Sequence, residues 1–119
     1  MTAVHVLPIT QRKRIPQQAI DDVVRQIVEK FKPHKIILFG SYARGDFRPE
    51  SDLDLLVVMD TKLKELRQAI EICQNIEYEF GMDLLVKTPQ VLAERIALGD
   101  SFLREIIREG KVMYESAHR

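Results

Sequence analysis

The stretch from Ile36 to Met59, IILFGSYARGDFRPESDLDLLVVM, decides how this chain is read. Ile36, Ile37, Leu38 and Phe39 form a short apolar run that Gly40 stops, which suits a strand buried on both faces better than a helix of so few residues. The polar segment Ser41–Ser51 carries almost no core. From Asp52 to Met59 the side chains alternate, with Leu53, Leu55 and Val57 on one face and Asp52, Asp54, Leu56 and Val58 on the other. Two acids therefore share a face with core residues of a second strand.

Outward from this stretch the periodicity turns helical. Upstream, Pro16 suits a first helical position, and Ile20, Val23, Val24, Ile27, Val28 and Phe31 recur at helical spacing up to Pro33. Downstream, Thr61–Phe80 reads as one long helix with Leu63, Leu66, Ile70, Cys73 and Ile76 near one side and many charges elsewhere, ending before Gly81. Met82–Lys87 is a third short strand. Thr88 and Pro89 cap and open a helix that Gly99 closes, and a last helix over Ser101–Glu109 carries Leu103, Ile106 and Ile107 as its apolar stripe. Val112–Tyr114 adds a short strand or a tail. Residues 1–15 lack periodicity and read as a solvated leader before a domain at 16–119. The predicted fold is α/β (α+β), a small mixed sheet flanked by helices.

Composition narrows the function classes. A chain of 119 residues has room for one domain, and 45% hydrophobic residues suffice for its core. Eighteen basic residues balance eighteen acidic ones, so no global field draws the chain to DNA or to an acidic membrane. The lone Cys73 excludes an internal disulfide and a cysteine zinc cluster, and together with the lack of a signal-like start it points to the cytoplasm. His5, His34 and His118 have no paired-ligand spacing. Gly40 and Gly45 have the glycine spacing of a P-loop, but Asp46 stands where that motif needs lysine.

Three features of the central stretch carry chemistry. Gly40 lets the backbone turn and approach a ligand, while Ser41 offers a hydroxyl and starts a turn with free N–H groups, a phosphate cradle in outline. Asp52 and Asp54, two apart on a strand, leave the same face about 6.5–7 Å apart at the backbone, near enough to converge on one hard cation. Arg44 and Arg48 lie between, where a guanidinium could hold phosphate oxygens. An isolated Asp-x-Asp pair also occurs on solvated strand edges. Here both acids interrupt a core run, where an unpaired charge is expensive. Asp83, entering the next apolar strand, is the natural third carboxylate, or else a strand-start residue satisfied by a turn. Three such groups on adjacent strands can hold two Mg2+ ions about 4 Å apart.

The composite of Gly40-Ser41, then Asp52-x-Asp54, then Asp83 resembles the signature of the polymerase-β-like nucleotidyltransferase superfamily. Its wording, with Ser41-Tyr42-Ala43-Arg44-Gly45-Asp46 and Ser51-Asp52-Leu53-Asp54-Leu55, is most similar to the minimal nucleotidyltransferase (MNT) branch. The resemblance implies Mg2+-dependent transfer of a nucleoside monophosphate from a triphosphate such as ATP. Asp52, Asp54 and Asp83 would then bind the metals, Asp83 would help deprotonate the acceptor, and Gly40 and Ser41 would hold the outgoing phosphates. Members of this branch are paired as antitoxins with HEPN-domain RNase toxins, which implies adenylylation of a toxin tyrosine. A silent antitoxin that acts by binding alone, and a transferase for a small hydroxylated molecule, are the competing expectations.

Overall fold

The computed structural model describes residues 14–117 and runs helix, strand, short helix, strand, helix, strand, two helices, strand. The elements are α1 (Gln17–Phe31), β1 (Lys35–Phe39), α2 (Ser41–Arg44), β2 (Leu53–Val58), α3 (Glu65–Asn75), β3 (Met82–Lys87), α4 (Pro89–Ala97), α5 (Ser101–Glu109) and β4 (Lys111–Glu115). The four strands form one mixed sheet in the order β3-β2-β1-β4. β1 is antiparallel to β2 and to β4, whereas β2 and β3 run parallel. A parallel neighbour needs a crossover, and α3 supplies it. The C-terminal segment, expected as a strand or a tail, is the edge strand β4.

The alternation read from the second strand divides the core as expected. Leu53, Leu55 and Val57 pack with Val23, Ile27 and Ile72 on the face covered by α1 and α3. Leu56 and Val58 pack with Ile37, Leu103 and Ile106 on the other face, with Leu92 and Ile96 of α4 alongside. Burying about 25 cal/mol per Å2 of apolar surface on both faces of so small a sheet is the main source of its stability. The Thr88 hydroxyl accepts from Val91 N–H, the cap expected from the sequence, and the Asp100 carboxylate, which the sequence did not single out, accepts from Leu103 N–H, so α4 and α5 each begin on a satisfied donor.

The segment expected as one helix over Thr61–Phe80 is helical only from Glu65 to Asn75. The Thr61 hydroxyl accepts from Leu63 N–H and holds a turn before the helix can start. At the other end Ile76 is extended and fully buried, and Gln26 of α1 clasps the next residue by donating to Glu77 C=O and accepting from Glu77 N–H. The buried face also differs from the expected stripe. Gln68, Ala69 and Ile72 point inward, whereas Leu63, Leu66 and Ile70 are exposed. Helical spacing alone did not separate the two faces, because the inward one carries a glutamine whose Oε1 is satisfied by the Thr61 hydroxyl.

The leader expected at 1–15 falls mostly outside the described residues. Its last residue, Ile15, belongs to the core at 5% exposure and donates its N–H to the Tyr42 hydroxyl. The Arg14 guanidinium lies 5.0 Å from the centre of the Phe47 ring, which itself stacks on Tyr42. Among the described residues no helix is long and apolar enough to cross a membrane.

The Gln26 clasp predicts a measurable stability. Gln26→Ala leaves both polar groups of the Glu77 peptide without their partner and is expected to cost about 1–3 kcal/mol in urea unfolding. Gln17→Ala, which removes only an exposed hydrogen bond to Asp21 on the same helix, should stay within about 0.5 kcal/mol of wild type.

Candidate active site

Strand register builds the site. Phe39 on β1 faces Asp54 on β2 across the antiparallel pair, and Asp54 faces Asp83 on β3 across the parallel pair. The row Phe39, Asp54, Asp83 therefore crosses three strands on the face that α5 covers. Asp83, predicted from sequence as the third acid, stands directly beside Asp54. Asp52 lies just before β2, two residues from Asp54.

Gly40 follows Phe39 immediately, and its conformation is dictated by this row. Its φ of +74° lies in the left-handed region that side chains rarely adopt. A Cβ on Gly40 would lie 2.1 Å from Asp54 Oδ2, so the carboxylate occupies the space a side chain would need. The Gly40 carbonyl accepts from the N–H groups of Ala43 and Arg44 at 3.1 Å, which folds the chain into α2. Gly45, at φ +88°, ends that turn with its N–H on Ser41 C=O at 2.8 Å.

Burial pushes the Asp54 carboxyl up to about 6, reinforced by the charges of Asp83 and Asp52 and by a hydrogen bond with Asp83, while Arg44 pulls the other way. Two carboxyl groups held this near one another resist simultaneous ionisation. Among the described residues no group of three His, Cys, Asp or Glu side chains is close enough to hold a metal ion. The donor chemistry nonetheless suits a hard divalent cation: Asp54 and Asp83 present carboxylate oxygens side by side, and their mutual repulsion is what such an ion relieves.

These residues form one end of an open cavity of about 650 Å3. Gly40, Arg44, Asp54 and Asp83 line it, together with Phe39, Leu84 and Leu85 of the sheet. Asp52, Ser41 and Arg48 are not part of its lining. Asp52 acts on Asp54 through its charge, Ser41 opens α2, and the Arg48 backbone N–H donates to the Ser51 hydroxyl in the loop before β2. Arg44 forms an exposed ion pair with Asp46 at 3.2 Å. Of the histidines within the described residues, His34 sits away from the cavity, its Nε2 2.7 Å from Asp60 Oδ2.

The opposite wall was not read from the sequence. Phe102, Glu105, Ile106 and Glu109 of α5 and Leu66 of α3 complete the lining. Phe102 meets Phe39 edge to face with ring centres 5.9 Å apart. The spacing of Phe102, Glu105 and Glu109 does put them on one helical face, but only the packing of α5 on the sheet aims that face at the acids.

Paired acids on adjacent strands beside a glycine turn are the arrangement expected of a nucleotidyltransferase, and the comparisons agree. The model of the family Polymerase beta, Nucleotidyltransferase matches residues 22–119, and the chain belongs to that family. It is 34% identical over 82% of its length to a protein of Methanocaldococcus jannaschii provisionally named protein adenylyltransferase MJ0604, of which it covers 97%. It is 29% identical over 70% of its length to protein adenylyltransferase MntA of Thermococcus cleftensis, of which it covers 81%. Among solved structures, a toxin-antitoxin with AMP-PNP shares the fold at a TM-score of 0.55, with 20% identity over 82% of this chain and 73% of that one.

Two measurements probe the site without any substrate. Gly40→Ala forces a side chain into strained backbone and against Asp54, and should lower unfolding free energy by about 1–3 kcal/mol. The second concerns protonation. The folded protein holds the Asp54 proton up to about pH 6, whereas the ordinary carboxyl value is 3.8, so the fold binds the extra proton between these limits. Stability in chelator-containing buffer should therefore fall as pH rises from about 4 to about 6. Urea titrations of wild type and Asp54→Asn across that window should converge at low pH and separate at high pH, with the variant more stable. Parallel curves would show that Asp54 carries no such shift.

Proposed function

We propose that this nucleotidyltransferase moves AMP from ATP to a tyrosine hydroxyl of a HEPN-domain RNase toxin, depends on Mg2+, and acts in the cytoplasm as the antitoxin. The observation that carries the reading is the register match of Asp54 and Asp83 beside the Gly40 turn at one end of an open cavity. Relatives named protein adenylyltransferase, one of them covered almost end to end, favour a protein acceptor. The shared fold of a toxin-antitoxin complex with AMP-PNP favours ATP as donor and a toxin as partner.

Asp54 and Asp83 would hold the metal, with Asp52 adding its charge from two residues before Asp54. When bound, Mg2+ supplies neutralisation between the carboxylates and the triphosphate and lowers the pKa of the acceptor hydroxyl. The chain's own groups do the rest. The bare Cα of Gly40 leaves room for the Asp54 carboxylate, and the turn from Gly40 into Ser41 with Arg44 would hold the departing diphosphate. Arg48 serves the same end from the loop before β2. The acceptor oxygen forms a bond to the α-phosphorus, the bond to the bridging oxygen breaks, diphosphate leaves, and Asp83 takes the acceptor proton.

Purified toxin incubated with labelled ATP and Mg2+ should take up label. Asp54→Ala and Asp83→Ala are each expected to reduce labelling by at least about a hundredfold, the scale on which removal of a charge-stabilising group acts. An Asp54→Ala protein that still neutralises the toxin fully would assign neutralisation to binding alone. Label appearing on a small hydroxylated molecule but never on protein would replace the acceptor class.

A further inference from the structure

The apolar surface next to the cavity is larger than nucleotide chemistry requires. Leu66 is 75% exposed and Phe102 54% exposed, although both line the cavity that holds Asp54 and Asp83. Ile70 lies one turn beyond Leu66 on the same face of α3, and Leu63 stands just before the helix; both are also exposed. We infer that the acceptor protein docks on this surface, with Leu63, Leu66 and Ile70 as its apolar footing and a basic side chain next to the acceptor hydroxyl meeting Glu105. The occupant's role as acceptor rests on the proposed adenylyl transfer.

Two observations select this occupant. The first is continuity. Leu66 belongs both to the exposed stripe and to the cavity lining, so a protein seated on α3 lies next to the cavity that holds the acids. Exposing three large aliphatic side chains together on an 11-residue helix and its approach turn is costly unless a partner covers them. The second is charge. Glu105 lines the cavity one turn from Phe102 and makes no ion pair among the described residues. Glu109, one turn further, has only a 3.5 Å contact to its neighbour Arg108. A triphosphate is repelled from that wall, whereas a lysine or arginine flanking the acceptor hydroxyl is attracted to it. Phosphates are thus drawn to Arg44, the basic residue of the lining, rather than to Glu105 and Glu109, which are left for the acceptor.

The test separates docking from chemistry. The Leu63→Glu/Ile70→Glu double variant alters exposed residues outside the cavity lining. Binding of purified HEPN-domain partner, measured by calorimetry, is expected to weaken at least about tenfold, while affinity for ATP with Mg2+ stays unchanged. Val112→Glu, at an equally exposed position on β4 at the opposite sheet edge, should bind the partner as wild type does. Glu105→Lys should raise the KM for the partner at least about tenfold, whereas the KM for ATP should stay level or fall. Unchanged partner binding in the double variant overturns the surface, as does a Glu105→Lys effect confined to ATP. A wild-type dimer that the double variant dissociates, with partner binding intact, would give the surface to a second copy instead. Wild type that binds the partner through this surface without labelling it supports the docking and refutes the transfer. Wild type that neither binds nor labels the partner refutes both.

Discussion

Everything at the active end of this molecule depends on one close approach. The Asp54 carboxylate lies where a Cβ of Gly40 would be, with Asp83 on the neighbouring strand at the same height. That contact requires a residue without a side chain directly after β1 and a charge at the second position of β2, and it requires the two strands to pair in one register. A slip of a single residue would turn Asp54 toward Val23 and Ile27 and bring Leu53 or Leu55 to the cavity. The apolar faces of β2 prevent the slip, because every inward leucine and valine would move to the wrong side with it. The core thus positions the acids, and the acids in turn account for the glycine.

The strain of gathering like charges is distributed by the fold. Asp54 is half-buried on a strand whose remaining residues are core, and its proton is held up to about 6 by burial and by Asp83 and Asp52. In the absence of a cation the arrangement lowers stability near neutral pH, as expected where function and stability compete for the same groups. The two-sided packing of β2, with α1 and α3 beneath and α4 and α5 above, tolerates that penalty. Arg44 contributes little relief, since its guanidinium also pairs with Asp46 at the surface.

Much of this was legible in the sequence, and the legible part has a common cause. Strand alternation around Asp52–Met59 assigns faces without ambiguity, because the period is two and both faces carry clear signals. Gly40, Asp54 and Asp83 could be found because each interrupts an apolar run in a way only a site or a turn explains. The boundaries and face of α3 were not legible. Its outward side carries Leu66 and Ile70 while its inward side carries Gln68, whose Oε1 accepts from the Thr61 hydroxyl, a contact that helical periodicity does not encode. Likewise nothing in Ser101–Glu109 says that Phe102 and Glu105 look at the acids. Only the stacking of α5 on Ile37, Leu56 and Val58 decides it.

The misread helix face and the unread cavity wall have one origin. Sequence periodicity assumes that apolar residues seek the chain's own core, and it misassigns those whose partner lies elsewhere. Leu66 and Ile70 fit the helical spacing of one apolar side, yet the fold buries Gln68, Ala69 and Ile72 and leaves the leucine stripe beside the cavity. A small domain cannot readily leave apolar area exposed, since each buried side chain of this size contributes about 1.5–3 kcal/mol. The exposed leucines lie where the proposed acceptor would dock, a contact that periodicity within one chain has no means of registering.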